Sequence, residues 1–185
     1  MNVSLDGFVE TPDHSLDWVN IDKELHSWFN DLARGQDAFL YGRGMYETMS
    51  AYWPTAADGP GAAAVQVDFA RVWNARPKIV FSSTLSAVDF NSRLVRGAPE
   101  IELTRLRHEF NGELGVGGAN LAAEFIRRGL VDTYHLVVHP VVIGGGTPFF
   151  PSLERPLPLR LVETRRFASG AMLLTYGPTR SEVER

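Results

Sequence analysis

Short apolar runs along this chain alternate with segments whose apolar side chains recur at the spacing of a helix. The helical stripes predict helices in three places: residues 21–34, 46–52 and 67–74. The apolar runs predict strands in four places: Met1–Leu5, Ala38–Tyr41, Lys78–Phe81 and Tyr134–Ile143. This alternation predicts an α/β protein with a mostly parallel central sheet.

Near its end the chain changes to a pattern of two strands in succession. Leu159–Phe167 and Met172–Tyr176 lie on either side of Ala168–Ala171 and predict an antiparallel hairpin at the edge of the sheet. We expect one domain over residues 1–177, followed by a disordered tail over residues 178–185.

Two segments have a less regular pattern. Asp6 and Gly7 predict a turn into a polar loop that ends near Trp18. Within residues 100–112, Glu100–Leu103 fits a strand, whereas Leu106–Phe110 fits the start of a helix or a charged turn. A first strand that begins at Met1 would be short, so we also expect the natural chain to begin upstream.

Composition excludes several classes of function. The formal net charge of −4 gives no electrostatic basis for binding nucleic acid or an anionic membrane. With no cysteine, the chain forms no disulfide, thiolate nucleophile or cysteine–zinc site. No apolar run approaches the roughly 20 residues of a membrane span, and no signal peptide is recognisable, so we expect a cytoplasmic protein. Lys23 and Lys78 are the only lysines.

The most informative segment is Gly115–Asp132, which predicts a glycine turn, a short helix and then the strand from Tyr134. Paired glycines at the start of a helix allow the backbone to approach a ligand closely, and the helix N-terminus attracts phosphate. Gly117 and Gly118 therefore indicate a nucleotide site, although such a pair is also typical of an ordinary tight turn. Gly42–Arg43 and Ser82–Thr84 follow predicted strands in the same way, and ligands bind beyond the carboxyl ends of parallel strands.

Taken in order along the chain, these pieces resemble the dihydrofolate reductase-like superfamily, and most of all its branch related to the reductase domain of riboflavin biosynthesis. The motifs concerned are Ser4–Phe8, Tyr41–Glu47, Lys78–Leu85, Gly117–Leu121, and Leu130–Asp132 with Pro140, Gly144–Gly146 and Phe149–Phe150. The resemblance implies a largely parallel, eight-stranded sheet flanked by helices, NADPH as hydride donor, and a homodimer.

The resemblance also implies roles for individual residues. Gly42 and Arg43 would begin a helix under the cofactor, with Arg43 at the 2′-phosphate or the pyrophosphate. Ser82, Ser83 and Thr84 would bind the adenosine-side phosphate. The pyrophosphate would lie on the helix N-terminus formed by five residues: Gly117, Gly118, Ala119, Asn120 and Leu121. A guanidinium beside a serine cluster favours NADPH over NADH, while a surface ion pair of Arg43 is the simpler alternative.

Two departures from these relatives limit the substrate. Folate enzymes place a carboxylate near the start of the first helix, and this chain has Leu25 there. The riboflavin-pathway reductases have a ribose-phosphate motif where this chain has Tyr46–Pro54, and a glutamate where it has Val116. We therefore expect neither dihydrofolate nor the phosphorylated pyrimidine as substrate. Aromatic side chains can line a flatter apolar pocket instead: Trp18, Trp28, Tyr46, Tyr52 and Trp53.

The proton donor is open among water, Asp6, Asp22 and Glu24, and Asp6 beside Gly7 is equally suited to a turn. His135 and His139 are too far apart along a strand to share a metal ion, so we expect no metal site. The sequence thus favours an NADPH-dependent reductase acting on a small heterocyclic or carbonyl substrate. A non-catalytic nucleotide-binding or ligand-sensing dimer of the same fold is the alternative, and a structural domain without cofactor is a weaker third.

Overall fold

A computed structural model describes residues 1–59 and 61–179. It contains ten strands and five helices in those ranges. The strands are β1 (Asn2–Val3), β2 (Phe8–Glu10), β3 (Gln36–Gly42), β4 (Lys78–Phe81), β5 (Ser92–Val95), β6 (Glu113–Gly117), β7 (Tyr134–Val138), β8 (Thr147–Pro148), β9 (Leu159–Arg166) and β10 (Met172–Pro178). The helices are α1 (Lys23–Gly35), α2 (Arg43–Tyr52), α3 (Ala64–Ala75), α4 (Pro99–Glu109) and α5 (Ala119–Arg127).

The chain forms two compact units, one of residues 23–124 and one of residues 1–22 with the segment from Phe125 onward. In the first unit, four parallel strands form a sheet in the order β5-β4-β3-β6. Ala38–Tyr41 in β3 is buried throughout, as a strand covered on both faces requires. Tyr41, Tyr46, Trp73 and Val80 belong to the core cluster of this unit.

The second unit has a sheet in the order β1-β7-β10-β9 and a ribbon of β2 with β8. β1 pairs with β7 in parallel, whereas β7, β10 and β9 pair antiparallel. Its core includes the fully buried side chains of Phe125, Val137, Phe167 and Leu173. Four of the seven strand pairings in the described residues are parallel, so the α/β class with an antiparallel C-terminal hairpin is confirmed.

The helix α4 resolves the ambiguity over residues 100–112, and the strand alternative for Glu100–Leu103 is wrong. Pro99 occupies the first turn, where its missing N–H costs nothing. Acidic residues lie in the first turn and basic residues in the last, which suits the helix dipole. These residues at the two ends favour a helix more strongly than the short apolar alternation of Glu100–Leu103 favours a strand.

Other differences concern short strands. The loop expected from Asp6 to Trp18 contains β2, and the glycine turn expected from Gly115 is in fact the strand β6 as far as Gly117. The strand from Tyr134 ends at Val138, two residues before Pro140, because proline cannot donate to a ladder. Both β5 and β8 escaped prediction, since β5 begins with two polar residues and β8 consists only of Thr147 and Pro148.

The single domain over residues 1–177 and the disordered tail over residues 178–185 stay predictions. The strand β10 includes Pro178, the first residue of the expected tail, and residues 180–185 lie outside the described part of the chain. Within residues 1–59 and 61–179, no helix has the length and apolar character needed to cross a membrane.

Candidate functional site

The strands of the parallel sheet in residues 23–124 end side by side. Gly42 is in register with Phe81, Phe81 with Val95, and Tyr41 with Gly117. Because all four strands run in one direction, the segments that follow them emerge at the same edge. The structure therefore brings together the three predicted loops: Gly42–Arg43, Ser82–Thr84 and Gly117–Gly118.

Two helix N-termini point their backbone amides toward this edge. The helix α2 begins after Gly42, which has extended backbone (φ −77°, ψ 169°) and provides no side-chain cap. The helix α5 begins after Gly118, whose carbonyl oxygen accepts the first helical hydrogen bond from the N–H of Ala122 at 3.0 Å. The amides in the first turn of each helix have no partner within their helix, and both ends are positive. The edge is thus suited to bind anions.

The glycines allow the second of these helices to approach the first. A Cβ on Gly117 would lie 2.8 Å from the Cε1 atom of Tyr41, and one on Gly118 would lie 2.9 Å from the Cβ of Met45. Gly118 also has φ of +92°, a conformation that side chains disfavour. Glycine at both positions is therefore required by packing, apart from any role toward a ligand.

Arg43 connects two of the converging loops. Its Nε donates to Oε1 of Glu47 at 2.8 Å, and its Nη1 donates to Oγ1 of Thr84 at 3.3 Å. About half of each charged side chain is exposed, at 55% for Arg43 and 47% for Glu47. The expected alternative of a surface ion pair is therefore present. It also holds the guanidinium over the serine loop, where an anion can bind it.

Within that loop the hydroxyls differ in what they do. The Ser82 oxygen accepts the N–H of Thr84 at 3.2 Å and that of Leu85 at 3.1 Å, so it shapes the turn. Ser83 and Thr84 are exposed beside it. We infer that Ser82 orders the loop while Ser83 and Thr84 present their hydroxyls.

Sequence reasoning missed Arg96, which follows β5 at the same edge. Its Nη1 donates to the carbonyl oxygen of Ser82 at 3.1 Å, and its Nη2 donates to that of Leu85 at 2.7 Å. The guanidinium thus supports the serine loop from the side of β5. The sequence offered only one indication of this role: Arg96 directly follows β5, a strand that the apolar pattern did not predict.

The helix α1 contributes the positions where a folate enzyme would have its carboxylate. Leu25 there is completely buried, and Glu24 is exposed in the first turn. His26, which sequence reasoning did not select, shares a hydrogen bond of 3.0 Å between its Nδ1 and Oδ1 of Asn30. Nδ2 of the buried Asn30 donates to Oδ2 of Asp68 at 2.7 Å, so the amide and the imidazole are held in one orientation.

In the unit that includes residues 1–22, Asp6 has a structural role. Its carboxylate accepts the N–H of Gly144 at 2.8 Å and that of Ile143 at 3.2 Å. The pKa of Asp6 lies below its usual range, first because the Ser4 side chain donates a hydrogen bond and then because of these two amides. Gly146 follows with φ of +134°, and a Cβ there would overlap the Glu10 carbonyl oxygen at 1.8 Å. Asp6 therefore fixes a tightly packed glycine loop.

Asp22 and the two strand histidines also have defined partners. Oδ2 of Asp22 accepts the N–H of Ser169 at 2.6 Å, in the turn between β9 and β10. His135 shares a hydrogen bond of 3.1 Å with the Thr175 hydroxyl, and His139 shares one of 3.0 Å with the Asn2 side chain. Burial lowers the pKa of His139. No cluster that could hold a metal ion occurs among the described residues.

The aromatic residues expected around a substrate separate into different roles. Tyr46 is buried, and its hydroxyl accepts the N–H of Asp89 at 2.8 Å, so it is a core residue. Trp53 packs against Phe69 with ring centres 4.4 Å apart, and its ring lies 6.2 Å from that of His26. Tyr52 is 48% exposed. In the other unit, Trp18 contacts the ring of His139 edge-on.

Known proteins resemble this chain over almost its full length. The protein YyaP of Bacillus subtilis (strain 168) is 31% identical over 175 residues, which cover 94% of this chain and 90% of YyaP. The crystal structure of a putative riboflavin biosynthesis protein from Shewanella sp. PV-4 matches with a TM-score of 0.79 at 22% identity, covering 97% of each chain.

A dihydrofolate reductase from Enterococcus faecalis, solved with NADP(H), matches with a TM-score of 0.64 at 14% identity, covering 97% of this chain and 94% of that one. These likenesses confirm the dihydrofolate reductase-like fold. The model of the RibD C-terminal domain family matches residues 1–173, and the chain belongs to that family.

Proposed function

We propose that this protein is an NADPH-dependent reductase that transfers hydride to a small heterocyclic or carbonyl substrate. The observation that supports it best is the convergence of two uncapped helix N-termini, Arg43 and the serine loop at one edge of a parallel sheet. This edge offers donors for two separate phosphate groups. When bound, NADPH supplies the hydride, and the protein supplies position and electrostatics.

The residues present fit such a cofactor. The amides of Ala119, Asn120 and Leu121 at the start of α5, with those at the start of α2, would hold the pyrophosphate. Arg43 and the hydroxyls of Ser83 and Thr84 would hold the 2′-phosphate. Arg96 keeps the serine loop in place, because it binds two carbonyl oxygens of the loop.

The substrate is neither dihydrofolate nor the phosphorylated pyrimidine of the riboflavin pathway. A pterin ring needs an acidic partner on α1, and the corresponding Leu25 is apolar and completely buried. A ribose phosphate needs cationic or polar side chains in the segment that follows β3. In this chain Tyr46 lies in that segment, and its side chain is buried in the core. An uncharged, flat substrate fits these changes better.

For proton transfer, Asp6 is a poor donor. Its lowered pKa keeps it ionised near neutral pH, and its oxygens already accept two backbone amides. Water, Asp22 and Glu24 stay as candidates, and Asp22 accepts the N–H of Ser169. The role of Asp6 is to hold the Gly144–Gly146 loop.

The test is a titration of the protein with NADPH and NADH in parallel, followed by nicotinamide fluorescence and thermal stability. The key variant is Arg43→Gln, and its matched control is Arg34→Gln. Arg34 is similarly exposed at 48% and bonds Asp31 and Asp68, at the end of α1 that precedes β3. Loss of one charged hydrogen-bond partner is worth about 1.5–3 kcal/mol, so the NADPH Kd should rise roughly tenfold or more in Arg43→Gln.

NADH binding should change little in either variant, and Arg34→Gln should bind NADPH like the unmodified protein. Equal NADPH affinity in Arg43→Gln, or no binding of either nucleotide to the unmodified protein, would contradict the cofactor assignment.

A non-catalytic nucleotide sensor is the second candidate, and the absence of the relatives' substrate-binding side chains at Leu25 and Val116 favours it. It predicts saturable NADPH binding with no oxidation when carbonyl, imine or pterin compounds are added. Substrate-dependent loss of the nicotinamide absorbance would exclude it.

A further inference from the structure

A cavity lies at the amino ends of β4 and β5, where Lys78 is in register with Ser92. This is the edge of the parallel sheet opposite to the loops that follow the strands. The cavity has a volume of about 410 Å³, is open to solvent, and is lined by residues 77–79, 88–93 and 109. Cavities of this size hold small ligands. None of the residues proposed to bind the cofactor lines it, so it is a separate site.

The backbone beside this cavity is strained at Phe90 and Asn91, whose φ values are +60° and +54°. Asparagine tolerates this conformation, whereas phenylalanine rarely adopts it. The segment is nevertheless fixed, because the Asn91 carbonyl oxygen accepts the N–H of Lys78 at 2.9 Å and the Asn91 Nδ2 donates to the Ala75 carbonyl oxygen at 3.0 Å. Backbone strain that the surrounding structure holds in place is concentrated at functional sites.

The strained conformation leaves much of the Phe90 side chain accessible. It is 47% exposed, and its ring centre lies 6.3 Å from that of the buried Trp73. The ring is therefore anchored to the core and still open to a ligand. The face of an aromatic ring attracts cations.

Four charged residues line the cavity, and they differ in whether a ligand can reach them. Arg93 and Glu109 bind each other at two points, with Nη1 donating to Oε1 at 3.0 Å and Nη2 donating to Oε2. The Lys78 side chain is completely buried, and its Nζ donates to the Trp73 carbonyl oxygen. Asp89 is exposed, and its carboxylate has no partner among the described residues. The unpaired charge that a ligand can reach is therefore negative.

The uncharged polar side chains of the cavity also offer hydrogen-bond acceptors. Asn91 uses its Nδ2 toward Ala75, so its Oδ1 is able to accept. The Ser92 Oγ donates to the Phe90 carbonyl oxygen at 3.3 Å, which leaves its lone pairs for another donor. A ligand in this cavity thus meets acceptors, a carboxylate and an aromatic ring, and it must supply N–H donors and a positive charge.

We propose that this cavity binds a small organic cation with a planar amidinium or guanidinium group, which pairs with the Asp89 carboxylate and stacks on the Phe90 ring. Such a group has N–H donors in its plane and no acceptor, so it matches what the cavity offers. Because the cavity and the cofactor edge lie at opposite ends of the strands, this inference does not depend on the proposed reductase activity.

Three probes of nearly equal size and shape test the charge of the ligand: benzamidinium, benzamide and benzoate. The ¹⁵N-labelled full chain is titrated at pH 7 with each probe up to about 20 mM, and the backbone amide signals are followed by NMR. Benzamidinium should shift the amides of Phe90–Arg93 saturably. Benzamide should bind there at least about threefold more weakly, and benzoate should cause no shift.

Two variants test the two contacts. Asp89→Asn keeps the shape of the side chain and removes its charge, so the benzamidinium Kd should rise about three- to fivefold. Phe90→Leu removes the aromatic face and should raise it about two- to fivefold. Asp58→Asn is the matched control, because Asp58 is an exposed carboxylate of the same unit outside the cavity. It should bind benzamidinium like the unmodified protein, and thermal unfolding checks that each variant is folded.

The absence of a saturable benzamidinium shift at Phe90–Arg93 would overturn the proposal. Equal affinity for benzamide, or an unchanged Kd in Asp89→Asn, would also overturn it, since the carboxylate would then play no part. Shifts confined to Ser82–Thr84 would place the probe at the cofactor edge and would count against the cavity in the same way.

Discussion

Lys78 allows one prediction to be worked out from the structure in detail. It begins β4 and is completely buried, with its Nζ donating to the Trp73 carbonyl oxygen at 2.8 Å and lying 4.0 Å from the centre of the Trp73 ring. Burial lowers the pKa of Lys78 from 10.5 to about 8. The folded protein therefore disfavours the ammonium form.

The consequence for stability follows from proton linkage. Below pH 8 both the folded and the unfolded chain hold the proton, and the charged lysine costs about 3 kcal/mol of folding free energy. Between pH 8 and 10.5 the unfolded chain binds more protons than the folded one, so this contribution makes stability rise with pH. Between pH 7 and 9.5 the Lys78 contribution should gain about 2 kcal/mol.

The perturbation is Lys78→Met, which keeps the length of the side chain and removes the titration. Urea unfolding at pH 7, 8, 9 and 9.5 gives the unfolding free energy of both proteins, and their difference should change by about 2 kcal/mol over this range. Lys23→Met is the control, because Lys23 is exposed on α1 and is the only other lysine. It should follow the unmodified protein.

Direct titration complements the unfolding data. Lysine labelled with ¹³C gives two side-chain signals in this chain, and the signal that is missing from Lys78→Met should titrate near pH 8. A Lys78 signal that titrates near 10.5, or parallel pH profiles of Lys78→Met and the unmodified protein, would refute the reasoning.

Other residues give further expected outcomes. Arg96→Gln removes two hydrogen bonds to loop carbonyls, so NADPH titration should show a Kd raised about three- to tenfold. Gly118→Ala adds a Cβ 2.9 Å from the Met45 side chain at a φ of +92°, so it should lower the unfolding free energy by about 2–4 kcal/mol. Gly44→Ala is the control in α2, because its Cβ would meet no atom within 4 Å. It should raise the unfolding free energy by about 0.5–1 kcal/mol. Asp6→Asn should lower the unfolding free energy at pH 7. The difference from the unmodified protein should vanish as the pH falls below 3.8, because the pKa of this carboxylate is lower in the folded than in the unfolded chain. Equal unfolding free energies at pH 7 would show that the two amide contacts of Asp6 are not needed.

Short, mostly apolar runs made the parallel sheet predictable. Ala38–Tyr41 and Lys78–Phe81 are strands buried on both faces, and the segments after them meet at one edge because parallel strands leave no other arrangement. The sequence alone therefore predicts that Gly42, Ser82 and Gly117 lie close together.

What the sequence concealed depends on contacts between distant residues. The role of Arg96 depends on β5 lying beside β4, and β5 has only two apolar residues, Leu94 and Val95, to indicate a strand. The role of Asp6 depends on amides 137 and 138 residues away. The buried Asn30 that orients His26 gains its partners only when α1 packs on α3. No local pattern encodes such partners.

The edge proposed to bind anions has positive groups whose charge does not change with pH. Guanidinium groups are always charged in proteins, and the peptide dipoles at the starts of α2 and α5 do not titrate. A phosphate monoester, in contrast, takes its second negative charge near pH 6. Affinity for such a ligand between about pH 5 and 8 will therefore follow the ionisation of the ligand itself, and a pH profile of binding will show which ionic form the site selects.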